Sequence, residues 1–583
     1  MKSFLLLKSF FLANAWRYAL GVFWLVIVNS AQLVIPYLLG QITDQIEAKE
    51  AVTTDLWRFA AYILAIAAVI VLCRFMWRIF IMGTARKLEY HLRDKLFSHL
   101  QKLSTNFYNE NSTGDLMAHA TNDINAVRMA LGPGIVMFID ALFLTLATIF
   151  MMSRTIDFRL TILALLPLPF MAGMVLFVGR IIHTRFKAVQ AAFSDLTDRV
   201  QENLSGIRVI KSFVQEEAEI ERFDHIARQL IDKNMALIKV WGVFMPLVQL
   251  ISGISYLIVL FYGGVMVIDG SITLGAFIAF NSYLAMLIWP MMAMGWVINV
   301  LQRGASSMER LKVLLEKKPE IFDKPDVKKI NRLHGELEIR NLSFIYPDGS
   351  GVLKNINLKL PRGNTLAIIG RTGSGKSTLA NLLLRLYDPP PGTIMIDGVD
   401  INQIPLAVLR RDIGYVPQDG FLFSTSIHDN IAFADDNLTR KQVEEAAHMA
   451  RVYDNIIEFP EKFDTFVGER GVTLSGGQKQ RVTIARALIK DPVILILDDC
   501  LSAVDTHTEE EILQELKHYM VGRSNIIISH RVSTVEDADE IVVMDQGLIV
   551  EQGTNEELLK AGGLYQRLYH KQQLERLIAE DRG

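Results

Sequence analysis

The sequence predicts two fold classes in series: an all-α, six-span transmembrane domain with long cytoplasmic helical extensions, then an α/β nucleotide-binding domain built on a phosphate-binding loop. Three observations carry this. Hydrophobic residues make up 51% of the 583 residues, mean hydropathy is +0.26, and the apolar excess lies in the first 300 residues. Six apolar stretches there reach the length of about 20 residues that a bilayer requires. Beyond residue 335, short apolar strands alternate with helical segments around Gly370–Ser377, which reads G-x-x-x-x-G-K-S.

At this length two or three folding units are expected. The predicted divisions are 1–315 for the membrane domain, 316–334 for a linker, 335–570 for the nucleotide-binding domain and 571–583 for a tail. Net charge is −3, so no global basic field points to nucleic acid. Cys73 and Cys500 lie far apart in sequence and indicate no disulfide framework. Lys2 and Lys8 flank an apolar run, but no small-residue cleavage site follows it. Residues 5–18 therefore read as an amphipathic helix on the inner membrane surface, leading into the first span.

The spans are placed at 19–39, 56–76, 133–153, 160–179, 244–268 and 274–301. Buried helices of a soluble core rarely need such lengths. The connections at 40–55, 154–159 and 269–273 are short or acidic. Those at 74–132 and 180–241 are long and basic, with Arg86, Lys87, Arg93, Arg199, Arg208 and Lys211 among their cations. Basic connections stay inside, which places both termini in the cytoplasm. Leu88, Leu92, Leu96 and Leu100 recur at helical spacing, as do Phe193, Leu196, Val200 and Leu204, so these connections read as spans continuing beyond the bilayer. Residues 111–116 and 206–213 fall at their tips, where a short helix could dock on the nucleotide-binding half. Asp140 interrupts the third span. It either contacts a ligand or is hydrogen-bonded inside the helix bundle. Gln249, Asn281 and Asn299 read as interhelical glue. Residues 316–334, with Pro319, Pro325 and five lysines in between, show no apolar period and read as a linker.

In the soluble half, Gly370, Arg371, Thr372, Gly373, Ser374, Gly375, Lys376, Ser377 and Thr378 follow a short apolar run and open a helix. Glycines let backbone N–H groups curl around a phosphate chain, and the helix N-terminus adds partial positive charge. Lys376 would reach the β- and γ-phosphates and Ser377 would ligate Mg²⁺. The buried strand 493–498 ends in Asp498, placed to hold Mg²⁺. A second set of small residues, Leu474, Ser475, Gly476, Gly477 and Gln478, precedes a helix and offers another phosphate cradle. One chain cannot readily bring both cradles to one γ-phosphate, whereas a dimer can.

The phosphate loop, Leu474–Gln478 with Lys479-Gln480-Arg481, and Ile496-Leu497-Asp498 resemble the nucleotide-binding domain of ABC transporters. Six spans fused ahead of one such domain resemble exporter half-transporters, and more narrowly one subunit of the bacterial heterodimeric multidrug exporters. The resemblance covers nearly the whole chain. It implies head-to-tail domains that sandwich two ATP molecules, with Mg²⁺, and spans that alternate between inward and outward access. By the same resemblance Tyr346 stacks on adenine and Gln418 touches Mg²⁺. It also has residues 465–471 meeting the cytoplasmic helix tips, Asp505 lying in the loop across the dimer interface, and His530 reaching the γ-phosphate. Residues 107–116 resemble the first coupling segment, although His119 stands where many relatives carry Arg. Many members place Glu directly after the strand's Asp to polarise the attacking water. Here that position is Asp499. The family's asymmetric heterodimers carry this kind of change in one subunit.

The resemblance thus implies an ATPase coupled to transport, slow at its own site, that expels amphiphilic drugs or toxic compounds across a bacterial cytoplasmic membrane. Its partners would be a second, different half-transporter, a small amphiphilic substrate and the lipid bilayer. The alternatives are a lipid or peptide exporter and, in another class, an ATP-gated channel or sensor.

Overall fold

The computed structural model of the chain describes residues 2–49, 52–435, 437–468, 471, 473–501 and 506–580. These divide into two compact units, one of residues Met1–Gln101 with Thr113–Lys317, the other of Lys102–Ser112 with Lys318–Gly583.

The first unit is helical. Its long helices are α1 (Phe4–Glu47), α2 (Thr53–Leu100), α4 (Thr113–Thr155), α5 (Phe158–Ser205), α7 (Glu216–Ile268) and α8 (Leu274–Glu316). The short helix α6 (Ile207–Ser212) joins α5 to α7, whereas the short helix α3 (Thr105–Glu110) belongs to the second unit. Helix α2 has 48 residues, a rise of about 72 Å at 1.5 Å per residue, more than twice the ~30 Å hydrocarbon core. The predicted extensions beyond the bilayer are therefore continuous helix. Helix runs through the segment at 5–18 directly into the first span.

Small residues set the closest helix contacts, as packing in lipid favours. A Cβ at Gly275 would lie 2.0 Å from the Gly40 carbonyl oxygen, and one at Gly304 would lie 2.3 Å from Ala130 Cβ. Beside the first contact, Asp44 accepts from Thr273 Oγ1 at 2.8 Å and from the Gly275 N–H at 2.6 Å. Tyr283, fully buried, donates to the Leu33 carbonyl at 2.8 Å. These bonds fix α1 against α8. Helices α5 and α7 pack mainly on each other. Among the described residues Asn281 and Asn299 make no interhelical hydrogen bond; each donates to the carbonyl four residues earlier on its own helix. Such local bonding is the usual competitor for a mid-helix amide.

The second unit holds ten strands among the described residues: β1 (Leu337–Ile345), β2 (Gly351–Leu360), β3 (Thr365–Gly370), β4 (Ile394–Ile396), β5 (Val399–Asp400), β6 (Ile413–Val416), β7 (Ile494–Asp498), β8 (Ser524–Ser529), β9 (Glu540–Asp545) and β10 (Leu548–Gly553). An antiparallel sheet has the order β2-β1-β4-β5, and a six-stranded, mostly parallel sheet has the order β10-β9-β3-β8-β7-β6. Strands β7 and β8 are buried along their whole length, as expected for parallel strands covered on both faces. The helices that matter for the site are α9 (Lys376–Leu383), α10 (Gly476–Leu488) and α11 (Leu564–Glu580). Between α8 and β1 the chain forms no regular element but is tied to this unit. Leu333 is buried and its N–H donates to Asp412 at 2.7 Å, and the Lys328 N–H donates to the Gln403 carbonyl at 2.8 Å.

Candidate functional site

Strand β3 is apolar and buried, so it enters the sheet centre and delivers the glycine-rich turn to the carboxyl edge. There the glycines are sterically required. A Cβ at Gly370 would meet the Met544 carbonyl oxygen at 2.2 Å. Gly375 has φ +100°, and a Cβ there would meet Leu353 at 2.7 Å. Lys376 folds back over the turn, its Nζ donating to the carbonyls of Gly370 at 2.8 Å and Arg371 at 2.9 Å. Burial pushes this ammonium below the usual lysine range, while Asp499 and Asp498 act in the other direction. Ser374 Oγ is buried with no hydrogen-bond partner among the described residues. A cationic head over N–H groups and an unpaired hydroxyl suit a phosphate chain.

Asp498 ends β7. Its Oδ1 accepts from Ser377 Oγ at 3.2 Å and its Oδ2 from Tyr415 Oη at 3.4 Å. Burial raises its carboxyl above the usual range, opposed by these hydrogen bonds and by the charge of Lys376. Asp499, next in the chain, has φ +48° and donates its N–H to the Ile528 carbonyl at 2.8 Å. Aspartate tolerates this left-handed backbone better than most residues. Its carboxylate accepts from Gln418 Nε2 at 3.3 Å and from His530 Nδ1 at 2.9 Å. Gly370 through Thr378, Gln418, Asp498, Asp499 and His530 all line one cavity of about 800 Å³. That volume lies within the ~300–1,000 Å³ typical of small-molecule sites. No group of three His, Cys, Asp or Glu side chains that could hold a metal by themselves occurs among the described residues. Ser377, Gln418 and Asp498 offer a hydroxyl, an amide and a carboxylate. That oxygen set fits Mg²⁺ shared with phosphate oxygens rather than a protein-only cage.

Tyr346 stands beside the loop, its hydroxyl donating to Thr378 Oγ1 at 3.0 Å. Its ring meets Phe344 and Tyr387 edge to face, with centroids 5.0 Å apart in both cases. Tyr387 in turn accepts from Asn109 Nδ2 of α3 at 2.7 Å, within the same unit. Leu474–Gln478 does not line the cavity. Ser475 instead caps α10, accepting from the Gln478 N–H at 3.2 Å, while the Gln478 side chain accepts from the Ser475 N–H at 2.9 Å. Such reciprocal capping contributes about 1 kcal/mol and holds the N–H groups of Gly476 and Gly477 at a helix start. Asp505 lies outside the described residues, as do Glu469 and Arg470 of the 465–471 segment. His119 pairs its Nδ1 with Asp123 at 2.7 Å, and Arg310 pairs with the same buried carboxylate. This ties α4 to α8 within the first unit.

Sequence reasoning missed Val352, Leu568, Lys571 and Gln572, which also line the cavity. The last two fall where a tail was expected, yet α11 continues through them. Gln572 brackets the histidine turn, donating to the His530 carbonyl at 2.8 Å and accepting from the Val532 N–H at 2.7 Å. The heptad-like run Leu564, Leu568 and Lys571 was the available signal.

Comparison with known proteins bears on the same two halves. Residues 18–291 match the ABC transporter transmembrane region and residues 353–502 match the ABC transporter domain. The chain is 41% identical over 575 residues to the probable multidrug resistance ABC transporter ATP-binding/permease protein YheI of Bacillus subtilis, covering 98% of each chain. It is 39% identical over 569 residues to the multidrug resistance-like ATP-binding protein MdlA of Escherichia coli, covering 97% of this chain and 96% of that one. The structure of a bacterial Atm1-family ABC exporter with ATP bound superposes with a TM-score of 0.77 at 28% identity, covering 95% of this chain and 98% of that chain.

Proposed function

The chain belongs to the ABC transporter family, an ATPase coupled to transport with its membrane and ATP-binding domains in one polypeptide, and on that premise we propose that it expels amphiphilic compounds as one half of a heterodimeric exporter. The relatives named for multidrug resistance support the cargo class. Bound Mg²⁺ would neutralise phosphate charge. Ser377, Asp498 and Gln418 would hold it, and Lys376 would leave its two carbonyls for the β- and γ-phosphates. Tyr346 would stack on adenine. The long basic connections support a bacterial cytoplasmic membrane protein with both termini inside.

The observation that carries the asymmetry is Asp499. Its carboxylate is engaged by His530 and Gln418, and it is one methylene shorter than the glutamate many relatives place there. The shorter side chain would draw the carboxylate back by about 1 Å from where a glutamate would place it, a misplacement that can cost around a hundredfold in rate. Leu474–Gln478, absent from the chain's own cavity, would complete the site of a partner that supplies glutamate. ATP turnover of this chain alone should fall well below the ~10 s⁻¹ enzyme median, and a partner half-transporter should raise it sharply. Ser475→Ala should then hurt the pair more than Asp499→Asn. Brisk ATPase and transport by this chain alone would remove the chemical motive for a heterodimer.

A further inference from the structure

A cavity of about 280 Å³ lies among α1, α2, α4 and α8. Its lining combines apolar Leu25, Leu144 and Trp289 with charges of both signs, Asp140, Arg74 and Arg78. Asn29, buried, donates to Asp140 Oδ1 at 2.8 Å and so fixes the carboxylate. Asp140 Oδ2 has no hydrogen-bond partner among the described residues. Arg74 lies within Coulombic reach of the carboxylate, yet among the described residues it closes no ion pair or side-chain hydrogen bond. Arg78 rests over the Trp77 ring at 5.6 Å. Arg74 is 21 residues beyond Thr53, about 31 Å along the helix, which sets the charges near one edge of the hydrocarbon core.

We propose that this cavity is a headgroup site for an amphiphile that carries an ammonium beside a phosphate or carboxylate. The ammonium meets Asp140 and the anion meets Arg74, while the acyl or aryl part lies along Trp289, Leu25 and Leu144. The proposal rests on the export reading and names the chemistry of its cargo. Opposite charges that line one cavity without closing an ion pair stabilise each other only in part. A simple cation that reached Asp140 would face two guanidiniums, and a simple anion would face the carboxylate. A headgroup with both signs satisfies both ends at once, through charge-assisted hydrogen bonds.

The test uses the full-length chain in nanodiscs and four probes of equal chain length: dodecyl lysophosphatidylethanolamine, N-dodecyl-β-alanine, dodecylamine and dodecyl phosphate. The first two should bind at least tenfold more tightly than the last two. Tight binding of both assigns the site to the shared charge pair, and binding of the lysolipid alone assigns it to lipid headgroups. Asp140→Asn should weaken the zwitterions about tenfold and strengthen dodecyl phosphate. Arg74→Gln should weaken the zwitterions and strengthen dodecylamine. These gains cannot arise from misfolding. Equal binding of all four probes, or a uniform loss in both variants, overturns the proposal. ATP-dependent uptake of the same probes into vesicles separates the two readings. Uptake without charge discrimination removes the site but keeps the exporter, and discrimination in binding without uptake removes the exporter but keeps the site.

Discussion

Replacing Asp499 with glutamate tests the proposed chemistry most sharply within this chain. The substitution extends the carboxylate by about 1 Å, and restoring that distance is expected to recover up to a hundredfold in turnover, or about 2.7 kcal/mol of barrier at 1.36 kcal/mol per decade. The backbone at 499 is left-handed, with φ +48°, where glutamate is less at ease than aspartate. That strain is shared by ground and transition states as long as the 499 N–H keeps its bond to the Ile528 carbonyl. It should therefore lower stability by up to ~1 kcal/mol without entering the rate. His530 and Gln418 must both shift to follow the longer side chain, and both lie at the cavity surface with room to do so. Phosphate release by the purified full-length chain in nanodiscs reads the effect, with Lys376→Ala as background. A rise of tenfold or more, with a slightly lower Tm, is expected. An unchanged or lower rate in a folded protein would refute the idea that carboxylate reach limits this site.

Lys376→Ala should weaken ATP binding at this chain's own site at least tenfold while leaving membrane insertion intact. A fluorescent ATP analogue measures this, and unchanged affinity would remove the phosphate assignment. MgATP affinity should also fall at both ends of the pH range. The carboxyl of Asp498 is raised by burial, so it protonates at higher pH than an ordinary aspartate and the acid limb moves up. The ammonium of Lys376 is lowered by burial, so it loses charge at lower pH than an ordinary lysine and the alkaline limb moves down. Lys376→Arg should return the alkaline limb to higher pH, because the guanidinium stays protonated, and an unmoved limb would contradict the assignment. Single cysteines placed in 40–55 and 180–241, after removal of Cys73 and Cys500, should label from outside and inside respectively. External labelling of the second would reverse the proposed orientation.

The long helices and the phosphate loop were legible because their signals are local. Twenty apolar residues in a row, or glycines at fixed offsets before Lys376, report structure without reference to distant residues. The cavity's other side was not local. Gln572 reaches the His530 carbonyl from 42 positions away, and Val352 arrives from a strand of the other sheet. Neither carries a motif. Asp140 was legible as an anomaly in an apolar run, but its pairing with Asn29 spans 111 positions and emerges only when α1 packs against α4. Asn281 and Asn299 misled for the opposite reason. Their amides were assigned to neighbouring helices because composition cannot distinguish a bond across an interface from one to the preceding turn.

Inside-out membrane vesicles containing this chain with the proposed partner half-transporter test ATP-driven export most directly. Uptake of an amphiphilic dye to a concentration above that outside is expected. Uptake should require hydrolysable ATP and Mg²⁺, and it should be abolished when Lys376→Ala is combined with the matching change in the partner. Equilibration of the dye down its gradient on ATP binding alone, without accumulation, would contradict the claim and describe a gated channel.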